Sequence, residues 1–93
     1  MKLKTQKITI SEEALSQEVN GETVILDLQS ESYFGLDEVG TRIWQLLQEH
    51  GETKKVFDVM LDEFDVDADT LASDMKNLID HLVDKGLISS DSP

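Results

Sequence analysis

Ninety-three residues with no cysteine make one small domain that lacks a disulfide framework, a thiolate nucleophile and a thiolate metal site. Twenty acidic residues against eight basic ones leave a formal charge of −12, which repels phosphate backbones and anionic headgroups and attracts cationic partners. The basic start, Met1 to Lys7, leads into Ile8-Thr9-Ile10 and Ser11-Glu12-Glu13 with no apolar run, so a cytoplasmic protein that contacts neither nucleic acid nor membrane is expected.

Ile8-Thr9-Ile10 alternates and suits either a strand or a cover over a sheet edge. Leu15 to Val19 and Glu22 to Leu28 flank Asn20-Gly21, whose tolerance of positive φ predicts a tight hairpin. Gln29-Ser30-Glu31-Ser32 reads as a second turn, and Tyr33-Phe34-Gly35-Leu36 as a third strand. With Leu28 placed opposite Tyr33, Val24, Leu26, Leu28 and Tyr33 share one face, and Ile25 and Phe34 share the other. The simplest reading buries Leu26, Leu28 and Tyr33 in the core.

Near residue 37 the hydrophobic period changes from two to about 3.6, so helices follow the strands and no strand is expected after residue 40. Asp37 caps a helix over roughly 38–50, with Val39, Ile43, Leu46 and Leu47 on one face, Trp44 in the core and Gly51 closing it. Thr53 is placed to cap a short second helix carrying Val56, Phe57, Met60, Leu61 and Phe64. Asp65-Val66-Asp67 interrupts, and a third helix from Ala68 to Lys85 carries Leu71, Met75, Leu78, Ile79, Leu82 and Val83. Ser89 to Pro93 reads as a frayed tail of the single domain 1–93.

Chemistry-bearing patterns are scarce. Asp65, Asp67 and Asp69 alternate as a calcium loop begins, but Thr70 stands where its glycine belongs and Lys76 where its bidentate glutamate belongs, so capping of the third helix is the better reading. His50 sits at a helix end, and His81 has ordinary surface spacing to Asn77 and Asp84. No nucleophile elbow, dinucleotide loop or phosphate loop occurs. Neither an enzyme nor a metal or other cofactor is indicated.

Among binding modules, an acyl carrier needs Asp-Ser-Leu at a helix start, whereas this chain has Ala72-Ser73-Asp74 inside a helix. A winged-helix DNA reader needs a basic third helix, yet Asp69, Asp74, Asp80 and Asp84 outnumber Lys76 and Lys85. A peptide binder needs an open strand edge, apolar pockets and complementary charge, and this chain can supply all three. The same open edge also admits an edge-paired or domain-swapped dimer.

The run from Glu22 to Leu47, with Asp27, Tyr33-Phe34-Gly35-Leu36, Val39-Gly40 and Ile43-Trp44, resembles the PqqD-like family. It is most similar to the stand-alone lasso-peptide biosynthesis members, which are recognition elements for precursors of ribosomally synthesised, modified peptides. The acidic stretch before the third helix, Leu78, Leu82 and Gly86-Leu87-Ile88 extend the resemblance. It implies an α+β, winged-helix-like fold in which a three-stranded antiparallel β-meander precedes three α-helices. It also implies that the leader segment of a precursor peptide adds as a strand beside Ser32, Tyr33, Phe34 and Gly35, with Leu26 on the neighbouring strand. The facing wall maps onto Asp69, Ala72, Met75, Lys76 and Ile79. The implied partners are the precursor, a transglutaminase-like leader protease and an asparagine-synthetase-like cyclase. A role in pyrroloquinoline quinone synthesis or another radical-enzyme pathway is the alternative, and a DNA-binding winged helix a more distant one.

Overall fold

In the computed structural model, which describes residues 6–91, the chain runs β1 (Lys7–Ile10), β2 (Ala14–Val19), β3 (Glu22–Asp27), β4 (Ser32–Leu36), α1 (Glu38–His50), α2 (Thr53–Glu63), α3 (Ala68–Asp84) and β5 (Ile88–Asp91). The three-stranded antiparallel meander followed by three helices is the expected α+β architecture. Asn20 and Gly21 take φ of 54° and 81°, the pair of positive values that a tight hairpin between β2 and β3 requires.

The second turn departs from expectation. The Asp27 carboxylate accepts the Gln29 N–H at 3.1 Å and the Ser30 hydroxyl at 2.7 Å, closing the turn around residues 28–31. Strand β3 therefore stops at Asp27, and Tyr33 pairs with Leu26 rather than Leu28. A slip of two residues leaves every side chain on its expected face, because the strand period is two.

That face is not core. Helices cover only the side of the sheet that carries Ile25 (0% exposed), Thr23 and Leu36, while Leu28 and Tyr33 are 45% and 75% exposed and Leu26 is half-buried. The expectation that all three lie in the core fails because the domain has one helical layer, which leaves the other sheet face uncovered.

Beneath the sheet, Ile25 joins Ile43, Trp44, Leu47, Val56, Met60, Leu71, Met75 and Leu82 in one cluster. Full burial of such an aliphatic side chain contributes about 1.5–3 kcal/mol. The helices begin and end as their sequence dictates. The Gly40 N–H donates to Asp37 Oδ1 at 2.8 Å, the Thr70 N–H to Asp67 Oδ2 at 3.2 Å, and Gly51 and Gly86 follow α1 and α3 at φ of 64° and 74°. Asp67→Ala should cost about 1 kcal/mol and lower the melting temperature by roughly 4–8 °C, read by thermal denaturation.

Thr53 does not cap α2. It is buried as the first helical residue, accepting the Gln6 N–H at 2.9 Å through Oγ1 while its own N–H donates to the Gln6 carbonyl at 3.0 Å. Glu52 occupies the capping position without a side-chain bond. This contact draws β1 toward the helices, where it pairs antiparallel with β5 in a separate two-stranded sheet. Ile8-Thr9-Ile10 is thus a strand, and the expectation of no strand after residue 40 fails at β5, which forms because β1 lies alongside it. The frayed tail does not begin at Ser89, since Ser89 to Asp91 continue the pairing and the N–H of Ser11 reaches the Leu87 carbonyl at 2.9 Å. Ser92 and Pro93 lie outside the described residues.

Arg42 on α1 and Glu63 on α2 form a two-pronged ion pair at 2.8 and 2.5 Å. The hydrogen bond from Arg42 holds the Glu63 carboxyl below its ordinary value. A depressed folded-state value stabilises above the unfolded value and is lost as pH falls through the folded one, so this tie is released on acidification below the usual glutamate range.

Candidate functional site

The sheet order β2-β3-β4 leaves β4 at an edge, and its outer side has no strand partner among the described residues. Helix α3 runs beyond that edge, across an open groove of about 630 Å³. One wall is Phe34, Gly35 and Leu36 of β4, the floor is Val39, Gly40 and Ile43 of α1, and the far wall is Asp74, Leu78 and His81 of α3. Asp37, the cap of α1, closes one end.

Local packing fixes this geometry. A Cβ on Gly40 would lie 3.3 Å from both Leu36 Cβ and Asp37 Oδ1, so glycine lets α1 start hard against the end of β4. The Thr41 N–H, donating to the Asp37 carbonyl at 2.7 Å, holds the same corner. Asp74, Leu78 and His81 recur at four and three residues and so line one face of α3. Phe34 also borders a smaller cleft of about 40 Å³, which includes Ser32, Tyr33 and Lys85.

A groove of this kind has an unpaired backbone edge, apolar surface from Phe34, Val39, Ile43 and Leu78, and carboxylates at its rim. It suits an extended, partly cationic peptide. Among the described residues no group of histidine and acidic side chains is placed to hold a metal ion, and none of the helices is long and apolar enough to cross a membrane.

The residues singled out from the sequence fall in three places. Phe34 and Gly35 line the groove and Ser32 the adjoining cleft. Gly35 sits within β4 with open space around its Cα, so it is a strand residue rather than a turn residue. Leu26 and Tyr33 stand opposite each other on the outer sheet face, and Tyr33 also borders the cleft with Ser32. On α3, Ala72, Met75 and Ile79 are 1%, 0% and 4% exposed, so their side chains pack in the core and line neither the groove nor the cleft. Asp69 and Lys76 are exposed but border neither cavity, and Lys76 pairs with Asp80 at 2.9 Å.

The wall of α3 that does face the groove is rotated from the expected one. Each residue turns a helix by about 100°, so the step from Met75 to Asp74, or from Ile79 to Leu78, exchanges core for groove. The available signal was Leu78, an apolar residue flanking the stripe set by Leu71, Met75, Ile79 and Leu82. Val39 was another, an apolar residue in the first turn of α1 that the core leaves 41% exposed.

Comparison with known proteins places this groove in context. The family model for coenzyme PQQ synthesis protein D (PqqD) matches residues 22–88. The chain belongs to the PqqD family. The match runs from the start of β3 to the first residue of β5, and so takes in every residue of the groove. Among solved structures, the PqqD-family domain is similar to TbiB1 in complex with the TbiA(beta) leader peptide, at 38% identity over 86% of this chain and 93% of that one, with a TM-score of 0.81. Lasso peptide synthetase B1 complexed with its leader peptide shares the fold at 20% identity, over 89% of this chain and 98% of that one, with a TM-score of 0.79. No curated protein matches the chain.

Proposed function

We propose that this PqqD-family domain captures the leader segment of a ribosomally made precursor, of lasso-peptide type, by accepting it as an extra strand along β4. The observation that carries this reading is the open β4 edge beside an apolar groove. It is supported by 38% identity to TbiB1, whose structure holds a leader peptide. The domain acts as a binding partner, without chemistry of its own. It presents the bound leader to a transglutaminase-like protease, which removes it, and to an asparagine-synthetase-like enzyme, which closes the ring.

Backbone hydrogen bonds to β4 supply affinity in any register. Selection of one register comes from alternate leader side chains entering the groove against Phe34, Val39 and Leu78. The family's description favours a second reading, in which the same capture serves pyrroloquinoline quinone synthesis. The two differ in which precursor binds, and agree on where.

A titration with a synthetic leader, followed by amide chemical shifts, tests the docking mode. Strand addition perturbs residues 32–36 together with the Asp74, Leu78 and His81 face of α3. Shifts confined to α2 or to β1 and β5 would reject it. The charge of −12 adds a kinetic signature: association with a lysine-bearing leader should slow several-fold between low and high salt, while dissociation changes less. Stopped-flow mixing at two ionic strengths reads this directly.

A further inference from the structure

The residues of α3 that border the β4 edge form a graded stripe. Asp74, Leu78, His81 and Lys85 recur at four, three and four residues, which keeps them within a sector of about 60° around the helix axis. Lys85 belongs to this stripe although it follows the last helical residue, because its N–H still donates to the His81 carbonyl at 3.0 Å. The first three line the groove with Phe34, Gly35, Leu36 and Asp37, and Lys85 lines the cleft with Ser32, Tyr33 and Phe34. Helix and strand thus run in opposite senses. The rise from Asp74 to Lys85 is about 16 Å and the span from Ser32 to Asp37 about 17 Å, so the stripe covers the whole edge.

Charge changes sign along the same axis. At the Leu36 end stand carboxylates from two elements: Asp37, which spends one oxygen on capping α1, and exposed Asp74, which has no ion pair among the described residues. At the Ser32 end stands Lys85. Arg42, Lys54 and Lys76 are tied to acids on the helices, while Lys7 lies on β1 and Lys55 on α2. Lys85 is the one described lysine or arginine that borders the groove or the cleft. Asp27 shares the cleft, but its oxygens already accept the Gln29 N–H and the Ser30 hydroxyl.

Strand parity turns this gradient into a pattern. A strand added to β4 places every second side chain on the helix side of the sheet, opposite Ser32, Phe34 and Leu36. The residue opposite Leu36 would meet Asp37 and Asp74, the one opposite Phe34 would meet Leu78, and the one opposite Ser32 would meet Lys85. Antiparallel pairing, slightly the more stable per residue, puts the Leu36 end first along the added chain. We infer that the domain reads a leader segment with a basic, an apolar and an acidic side chain at successive alternate positions, and that the charge gradient of α3 fixes the direction in which the leader is laid down. The inference rests on the leader-capture reading. It supplies what backbone pairing lacks, since an edge strand can bond a neighbour running either way.

The test uses the full chain and two synthetic leaders of one composition, in which a lysine stands four residues before a glutamate or the two are exchanged. Calorimetry at low salt should give the lysine-first leader a Kd about five-fold lower or better, and the margin should shrink at high salt. A chain carrying Asp74→Lys and Lys85→Glu should prefer the glutamate-first leader. Both side chains are exposed, so its melting curve should stay close to the wild type. A second chain with Asp74→Asn and Lys85→Gln should bind the two leaders alike, and it decides the matter if the reversed chain melts early. Equal affinity of the wild type for the two leaders would overturn the inference, as would a glutamate-first preference or one that survives in the variants. Leader capture would still stand in those cases if amide shifts at residues 32–36 accompany binding. Failure of both leaders to bind would remove the capture reading and this inference with it.

Discussion

Val39→Asp should weaken leader capture by more than an order of magnitude while leaving the melting curve where it was. Val39 is 41% exposed in the first turn of α1, where a carboxylate is favoured by the helix dipole, so the fold loses little. In the complex the same carboxylate would be stripped of water against an apolar leader side chain, with no lysine or arginine lining the groove to pair with it. A loss of about 2 kcal/mol or more is expected, roughly a 30-fold weaker Kd by calorimetry. Leu78→Asp on the opposite wall should act in the same direction. Met75→Asp is the instructive contrast. It buries a charge at a position with 0% exposure and should unfold the domain, so its lost binding would say nothing about the groove. Undiminished binding by folded Val39→Asp and Leu78→Asp proteins would move the leader out of this groove.

The largest effect on stability is expected at Trp44. Its side chain is 2% exposed beneath the sheet, and truncation to alanine should cost about 3–5 kcal/mol, a large share of the roughly 5–15 kcal/mol that holds a domain together. Trp44→Phe should cost much less than half of that. The indole Nε1 is buried with no hydrogen-bond acceptor among the described residues, so phenylalanine removes an unsatisfied donor along with part of the volume. Because Trp44 is the sole tryptophan, unfolding is best followed by circular dichroism in denaturant. Equal losses for the two variants would mean that the indole N–H has a partner in solution.

Local signals in the sequence were sufficient wherever structure is local. Asn20-Gly21, the caps Asp37 and Asp67, the closing glycines at 51 and 86, and the change of period at residue 37 each act within a few residues, and each appears in the fold as written. What could not be read depends on distant partners. Nothing in Ser89-Ser90-Asp91 looks like strand, and it becomes one only because Lys7 to Ile10 lies alongside. Thr53 looks like a cap until Gln6 arrives to bond it. The groove was least legible, since the stripe on α3 announces an apolar face but not its rotation, and a turn of about 100° exchanges Leu78 for Ile79. The open outer face was legible as alternation in β3, but whether a second layer covers it is a property of the whole chain.

The pairing of β1 with β5 places the first and last described strands side by side, with Lys7 opposite Asp91. On α3 they approach Asp80, Val83 and Asp84 through Gln6 and Ser90, roughly opposite the helix face that borders the groove. A tether attached at Lys7 or at Asp91 would therefore hold the described domain from nearly the same point, behind the helix, with the groove side still open.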